Sequence, residues 1–177
     1  MSYNLLAASI KRQAFTQYDK NIIDDEYFNN ELNKAKKVYS SIFEINKNYY
    51  PAINIIYLQM ILAYRKNEGR ELAVDEAKSI WKGSDITKEL TTNDWWSYIS
   101  NIEFLIIIEE YELALLKLKD YVSNLKEKEE IDDFSIASTI RQLKLYNNFN
   151  QNKKFTECIS ILEDIENKKH NSKHLKK

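Results

Sequence analysis

Few residues in this chain are of types that could do chemistry. Its two histidines, His170 and His174, stand four apart, a spacing that can put two metal ligands on one helix face. They lie in a lysine-rich tail with Lys168, Lys169, Lys173, Lys176 and Lys177, so a solvated tail is the expectation and no metal site is assigned. The first 169 residues hold no histidine, which leaves the body of the chain without a histidine base or triad. Cys158 is the only cysteine. It falls on an apolar stripe and reads as a core thiol, and a lone cysteine fits a reducing compartment. The acid pairs Asp24-Asp25, Glu109-Glu110 and Asp132-Asp133 adjoin helix starts, where caps and dipole partners are their simplest roles. No glycine-rich phosphate loop or Walker-type lysine is present. The expectation is a protein that is not an enzyme, with no catalytic residue and no cofactor.

Binding residues are better represented. Asn54 and Arg141 are polar groups inside otherwise apolar helical stretches. Such groups either bond neighbouring helices or face a groove. A groove lined by them together with Lys11, Arg12 and Tyr57 would suit an acidic peptide, a phosphate or a nucleotide-like ligand. Trp95 and Trp96 are adjacent, so one helix stripe cannot bury both; one belongs in the core, and Trp96 is the candidate groove aromatic.

The elements that must position these residues are helices. With 44% hydrophobic and 30% charged residues, the chain has enough apolar material to fold. Only 2 Gly and 1 Pro occur in 177 residues, too few for the corners of a strand-rich fold. Apolar spacing marks eight helices. The first runs from about Tyr3 to Tyr18 on the stripe Leu6, Ile10, Ala14, Tyr18. Asp25 would cap a second, Glu26 to Ile45. A third, starting at Pro51 in its first turn, is apolar on most faces, as a helix buried between others would be. A fourth ends at Gly83. Four more follow: one capped by Thr92, Asn93 or Asp94, one from Tyr111 to Lys126, one capped by Asp132 or Asp133, and one holding Phe155, Cys158 and Leu162.

The helices pair, an apolar one with an amphipathic one. The second members look alike: Glu31-Leu32-Asn33-Lys34-Ala35, Arg70-Glu71-Leu72-Ala73 and Tyr111-Glu112-Leu113-Ala114-Leu115. Each sets a small residue on its packing face, where two helices can approach closely. The small residues recur at about 40, between the tetratricopeptide and HEAT-like periods. The fold expected is all-α, a tetratricopeptide-like right-handed stack of about four hairpins, against the alternative of an irregular helical bundle. It would form one domain over residues 1–167, with 168–177 a frayed basic tail.

Tyr111-Glu112-Leu113-Ala114-Leu115 resembles the start of the second helix of a tetratricopeptide repeat. Asn48-Tyr49-Tyr50-Pro51-Ala52-Ile53-Asn54 resembles the Tyr-x-Gly-Ile-Asn element of the TRAF-binding-type helical repeat domain of MAP kinase kinase kinases, of which similar domains occur in bacterial proteins. Three further stretches resemble that family's helices: Ser9 to Ala14, Glu68 to Ala73, and Ala137 to Leu143 with its Thr139-Ile140-Arg141-Gln142. The likeness spans about residues 5–147. Ala52 stands where the family tends to have Gly. No kinase domain accompanies it, so the resemblance implies an interaction scaffold without kinase activity.

The expected function is therefore protein–protein interaction through a concave face carrying Lys11, Arg12, Asn54, Tyr57, Trp96 and Arg141. The partner would be a protein or peptide. The alternative is a small-ligand sensor, with a nucleotide or metabolite in the same groove. A net charge of -1 gives no case for nucleic acid, and the longest apolar run, Phe104 to Ile108, is too short for a membrane. Met1 to Arg12 lacks the pattern of a signal peptide, so a cytoplasmic location is expected. Apolar Leu5 and Leu6 at the start of the first helix suggest a homodimer through the ends of the stack.

Overall fold

Helix formation follows the apolar spacing, and the ends of the helices are set by short polar side chains. The computed structural model describes residues 3–85, 95–124 and 133–174. Among these are eight α-helices and no strand: α1 (Tyr3–Asp19), α2 (Asp25–Asn46), α3 (Tyr49–Lys66), α4 (Arg70–Lys82), α5 (Trp95–Ile107), α6 (Tyr111–Asn124), α7 (Asp133–Asn147) and α8 (Lys153–His174). The fold is all-α, as the scarcity of Gly and Pro implies. None of these helices is long and apolar enough to cross a membrane. The chain divides into two compact units, Met1–Thr91 and Thr92–Lys177, and the described helices form two hairpins in each.

The cap of α2 is one residue earlier than expected. Asp24 is extended, and its carboxylate accepts from the Tyr27 N–H at 2.8 Å. That releases Asp25 for a tertiary role. Helix α3 likewise begins before Pro51: Asn48 accepts from the Tyr50 N–H at 2.9 Å, and Pro51 occupies the first turn, where no N–H is needed. Lys47 and Asn67, both at φ 53, end α2 and α3 in left-handed conformation. Gly83 ends α4 as expected, but with φ -81, so it is not the left-handed stop that glycine usually provides. The expected caps Thr92, Asn93, Asp94 and Asp132 lie outside the described residues. The basic stretch from Lys168 continues α8 to His174, in keeping with a segment free of Gly and Pro.

In the first unit α3 is the central element. All twelve residues from Pro51 to Leu62 are buried except half-buried Gln59. A helix apolar on every side has to be covered on every side. Helix α2 covers it with the stripe Phe28, Leu32, Ala35 and Tyr39, and α4 with Ala73, Ala77 and Trp81. Helix α1 reaches it through Phe15, whose ring lies 6.3 Å from that of Tyr57. Ala35 and Ala73 are fully or almost fully buried, as their place on the packing face requires.

In the second unit α5 packs on α6 and α7 on α8, with further contacts of α6 to α8 and α5 to α7. Trp95, Ile99, Ile102 and Ile106 bury the α5 face, and Ala114 and Leu118 that of α6. Tyr98 stacks on Tyr121 at 4.2 Å and donates to the Lys117 carbonyl at 2.6 Å, tying α5 to α6. Ion pairs Lys119–Glu157, Lys144–Glu163 and Lys154–Glu112 hold α8 to its two neighbours.

One side chain joins three helices of the first unit. The Arg65 guanidinium, on α3, lies 4.7 Å from the Tyr18 ring and 4.8 Å from the Phe28 ring. Its Nε donates to Asn29 Oδ1 at 2.8 Å, and it pairs with Asp25. The Tyr18 hydroxyl donates to the same Asp25 carboxylate at 2.7 Å. Replacing Arg65 with Ala removes a stacked, hydrogen-bonded cation, and should lower the unfolding free energy by about 1–3 kcal/mol in urea denaturation. Asp25 carries a pH signature. Its carboxyl is held below the usual aspartate range, first by the Tyr18 hydroxyl and then by Arg65. A depressed native pKa stabilises above the unfolded value and is lost as pH falls through the native one. The stability advantage of the wild type over Asp25→Asn should therefore be present at neutral pH and begin to be lost only as the pH falls below about 4.

Candidate functional site

The site grows out of the need to cover α3. Asn54 faces inward from this helix and is 3% exposed. A buried amide must find partners. Its Nδ2 donates to the Tyr50 carbonyl one turn back at 2.9 Å, and its Oδ1 accepts from Lys11 Nζ of α1 at 2.5 Å. Lys11 is half-buried, and its ammonium lies 5.2 Å from the centroid of the Tyr57 ring. Three of the sequence-derived candidates, Lys11, Asn54 and Tyr57, thus meet where α1 and α3 touch.

Each differs from the simplest expectation of a groove residue. Asn54 is satisfied within the fold, and Tyr57 is 2% exposed, so its ring belongs to the core. Their placement fixes the position of the Lys11 ammonium. Arg12, the next residue along α1, is exposed. It is the member of this group whose head is open to solvent.

Trp96 and Arg141 belong to the second unit. Trp95 enters the core at 6% exposed, with its ring 5.9 Å from Tyr121, while Trp96 stays half-buried, as adjacency on one helix requires. Arg141 is exposed rather than enclosed within α7. It stands with Lys144 and Glu166 at an open concavity of about 260 Å³ floored by Ala137, Ile140 and Leu145, below the usual size of a small-molecule pocket.

Sequence reasoning missed two features. One is a second set of buried polar side chains: Ser100 and Glu103 on α5, and Ser135 and Thr139 on α7. Their spacing of three and four in apolar helices was the available signal. The other is Tyr39. Its ring was legible as part of the α2 stripe, but the burial of its hydroxyl beside the Tyr50 ring was not. The pKa of this hydroxyl is raised, chiefly by burial. Cys158 is fully buried, and burial pushes its thiol up to about 11. It is protonated at neutral pH, which suits the core role expected of it.

Two tests follow from this geometry. Asn54→Ala removes the hydrogen bond from the Lys11 ammonium and should cost about 1–3 kcal/mol in urea denaturation; a cost near zero would mean that the Asn54 tie between α1 and α3 contributes nothing. Cys158 should react with a thiol reagent at least about a hundredfold more slowly in the folded chain than in denaturant, because the reactive thiolate is scarce and enclosed.

The chain matches no protein-family model, no curated protein and no solved structure in comparisons with each.

Proposed function

We propose that this chain is a non-catalytic protein-interaction module. In this reading its four hairpins form a tetratricopeptide-like right-handed stack of the TRAF-binding type, and the first helices of the hairpins present the binding face to a peptide or partner domain in the cytoplasm. The observation that carries the reading is the convergence of Lys11, Asn54 and Tyr57 on two neighbouring first helices, with exposed Arg12 beside them. A fixed cation beside an exposed one suits an extended or acidic segment. The half-buried Trp96 and the exposed Arg141, also on first helices, are of the residue types that anchor interfaces. The buried polar pairs of α5 and α7 extend the same trait, polar groups on first helices, to the second unit.

The test is selection from a displayed random-peptide library against the whole chain. An enriched motif is expected, and its synthetic peptide should bind at least about tenfold more weakly to Trp96→Ala or Arg141→Ala. No enrichment, or affinities unchanged in both variants, would contradict the reading.

A further inference from the structure

The concavity on α7 and α8 holds the parts that join this unit's own helices, with one charge pair left unmade. Its floor is apolar, formed by Ala137, Ile140 and Leu145. Arg141 and Lys144 border it on α7, and Glu166 borders it on α8. Lys144 is already answered by Glu163 of α8 at 2.6 Å. Among the described residues, Arg141 and Glu166 make no ion pair.

Helical geometry places this concavity on the outer side of α7. The Tyr146 hydroxyl donates to the Ile107 carbonyl of α5 at 3.4 Å, which turns that side of α7, with buried Ser135 and Thr139, toward α5. At about 3.6 residues per turn, Ala137, Arg141 and Lys144 fall on the opposite side. All three are exposed.

Size and charge select the occupant. A volume of about 260 Å³ has room for one or two large side chains, since a cavity of about 150 Å³ takes a benzene-sized group. A helix laid along a groove delivers such anchors at i and i+3 or i+4. A wholly anionic ligand would meet Glu166, and a wholly cationic one would meet Arg141. The unit's own helices show what satisfies both. Lys119–Glu157 and Lys154–Glu112 border the apolar contact of α6 with α8, and Lys144–Glu163 borders that of α7 with α8. An incoming helix with an acid for Arg141 and a base for Glu166 repeats that joint.

We propose that the α7–α8 concavity takes an amphipathic helix of a partner protein. One or two large apolar side chains of that helix rest on Ala137, Ile140 and Leu145, an acidic residue meets Arg141, and a basic residue meets Glu166. This names the partner class of the interaction-module reading and rests on it. The apolar anchor supplies most of the affinity, because exposed ion pairs are weak, and the two charges select the partner.

The experiment is a fluorescence-anisotropy titration of the whole chain with three synthetic helices of about 18 residues that share a leucine stripe. One carries Glu along one flank and Lys along the other, one carries Glu on both flanks, and one carries Lys on both. The mixed helix should bind at least about fivefold more tightly than either of the others. Arg141→Glu should transfer the preference to the Lys-flanked helix, and Glu166→Lys should transfer it to the Glu-flanked one. Ala137→Phe, at an exposed position, fills the floor and should weaken the mixed helix at least about tenfold while leaving the melting temperature unchanged. The proposal fails if no helix binds below about 1 mM, if the three bind alike, if neither charge reversal moves the preference, or if Ala137→Phe binds like the wild type. A dimer in sedimentation that Ala137→Phe abolishes also overturns it, because the occupant would then be a second copy of this chain. Library-selected peptides that depend on Trp96 but not on Ala137 would keep the interaction-module reading and lose this site.

Discussion

Helix α3 is apolar around its whole circumference, and the first unit is arranged around that fact. Such a helix cannot lie on a surface, because each exposed face would leave large aliphatic side chains in water. It needs neighbours on all sides, and α1, α2 and α4 are those neighbours. The left-handed residues Lys47 and Asn67 end α2 and α3 abruptly, so that each next helix turns back along the last. The buried stripes of α2 and α4, with Ala35, Ala73 and Ala77 at close approaches, answer the shape of α3. Arg65 closes the far end, its guanidinium lying over two aromatic rings while it bonds α2.

A helix enclosed in this way makes any polar group it carries costly unless paired. Asn54 is that group. Its pairing with Lys11 converts a burial problem into a fixed cation where two first helices meet. The second unit shows a related arrangement, with Ser100 and Glu103 on α5 and Ser135 and Thr139 on α7 buried along first helices. The second helices of the hairpins, by contrast, bury mainly aromatic, aliphatic and small residues, such as Phe28, Leu32, Ala77, Trp81, Leu118 and Phe155. Among them α8 is tied to its neighbours by three ion pairs. This division of labour links packing to binding: polar groups that select one arrangement of helices lie on the helices proposed to face a partner.

Much of this was legible in the residues. Apolar spacing located the helices because each stripe is a direct record of the face it buries, and the run from Ile53 to Leu62 marked α3 as central. The splitting of Trp95 from Trp96 followed from helical geometry alone, whereas Asn54 could equally have faced a groove, and its burial against Lys11 emerged only from the packing of α1 on α3. Helix starts were less legible. Asp24 and Asp25 are chemically alike, and the choice of cap depended on Arg65 and Tyr18, forty and seven residues away, claiming Asp25. Of the two places the sequence left open for Arg141, bonding neighbouring helices or facing a groove, its exposure on α7 fits the second, because the helix face it occupies is open to water. The burial of the Tyr39 hydroxyl beside Tyr50 was beyond sequence reasoning, since it depends on side chains brought together only by folding.

The account stands on α3 as the element that the first unit cannot open without unfolding, and native-state hydrogen exchange measures this directly. Amides from Ile53 to Leu62 should exchange only through global opening, with protection matching the unfolding free energy from denaturant, while amides near the starts of α1 and α4 exchange through smaller openings. Protection across α3 no greater than that of α1 or α4 would contradict the account, because the helix would then be one packed element among several and the Lys11–Asn54 pair would have no rigid support.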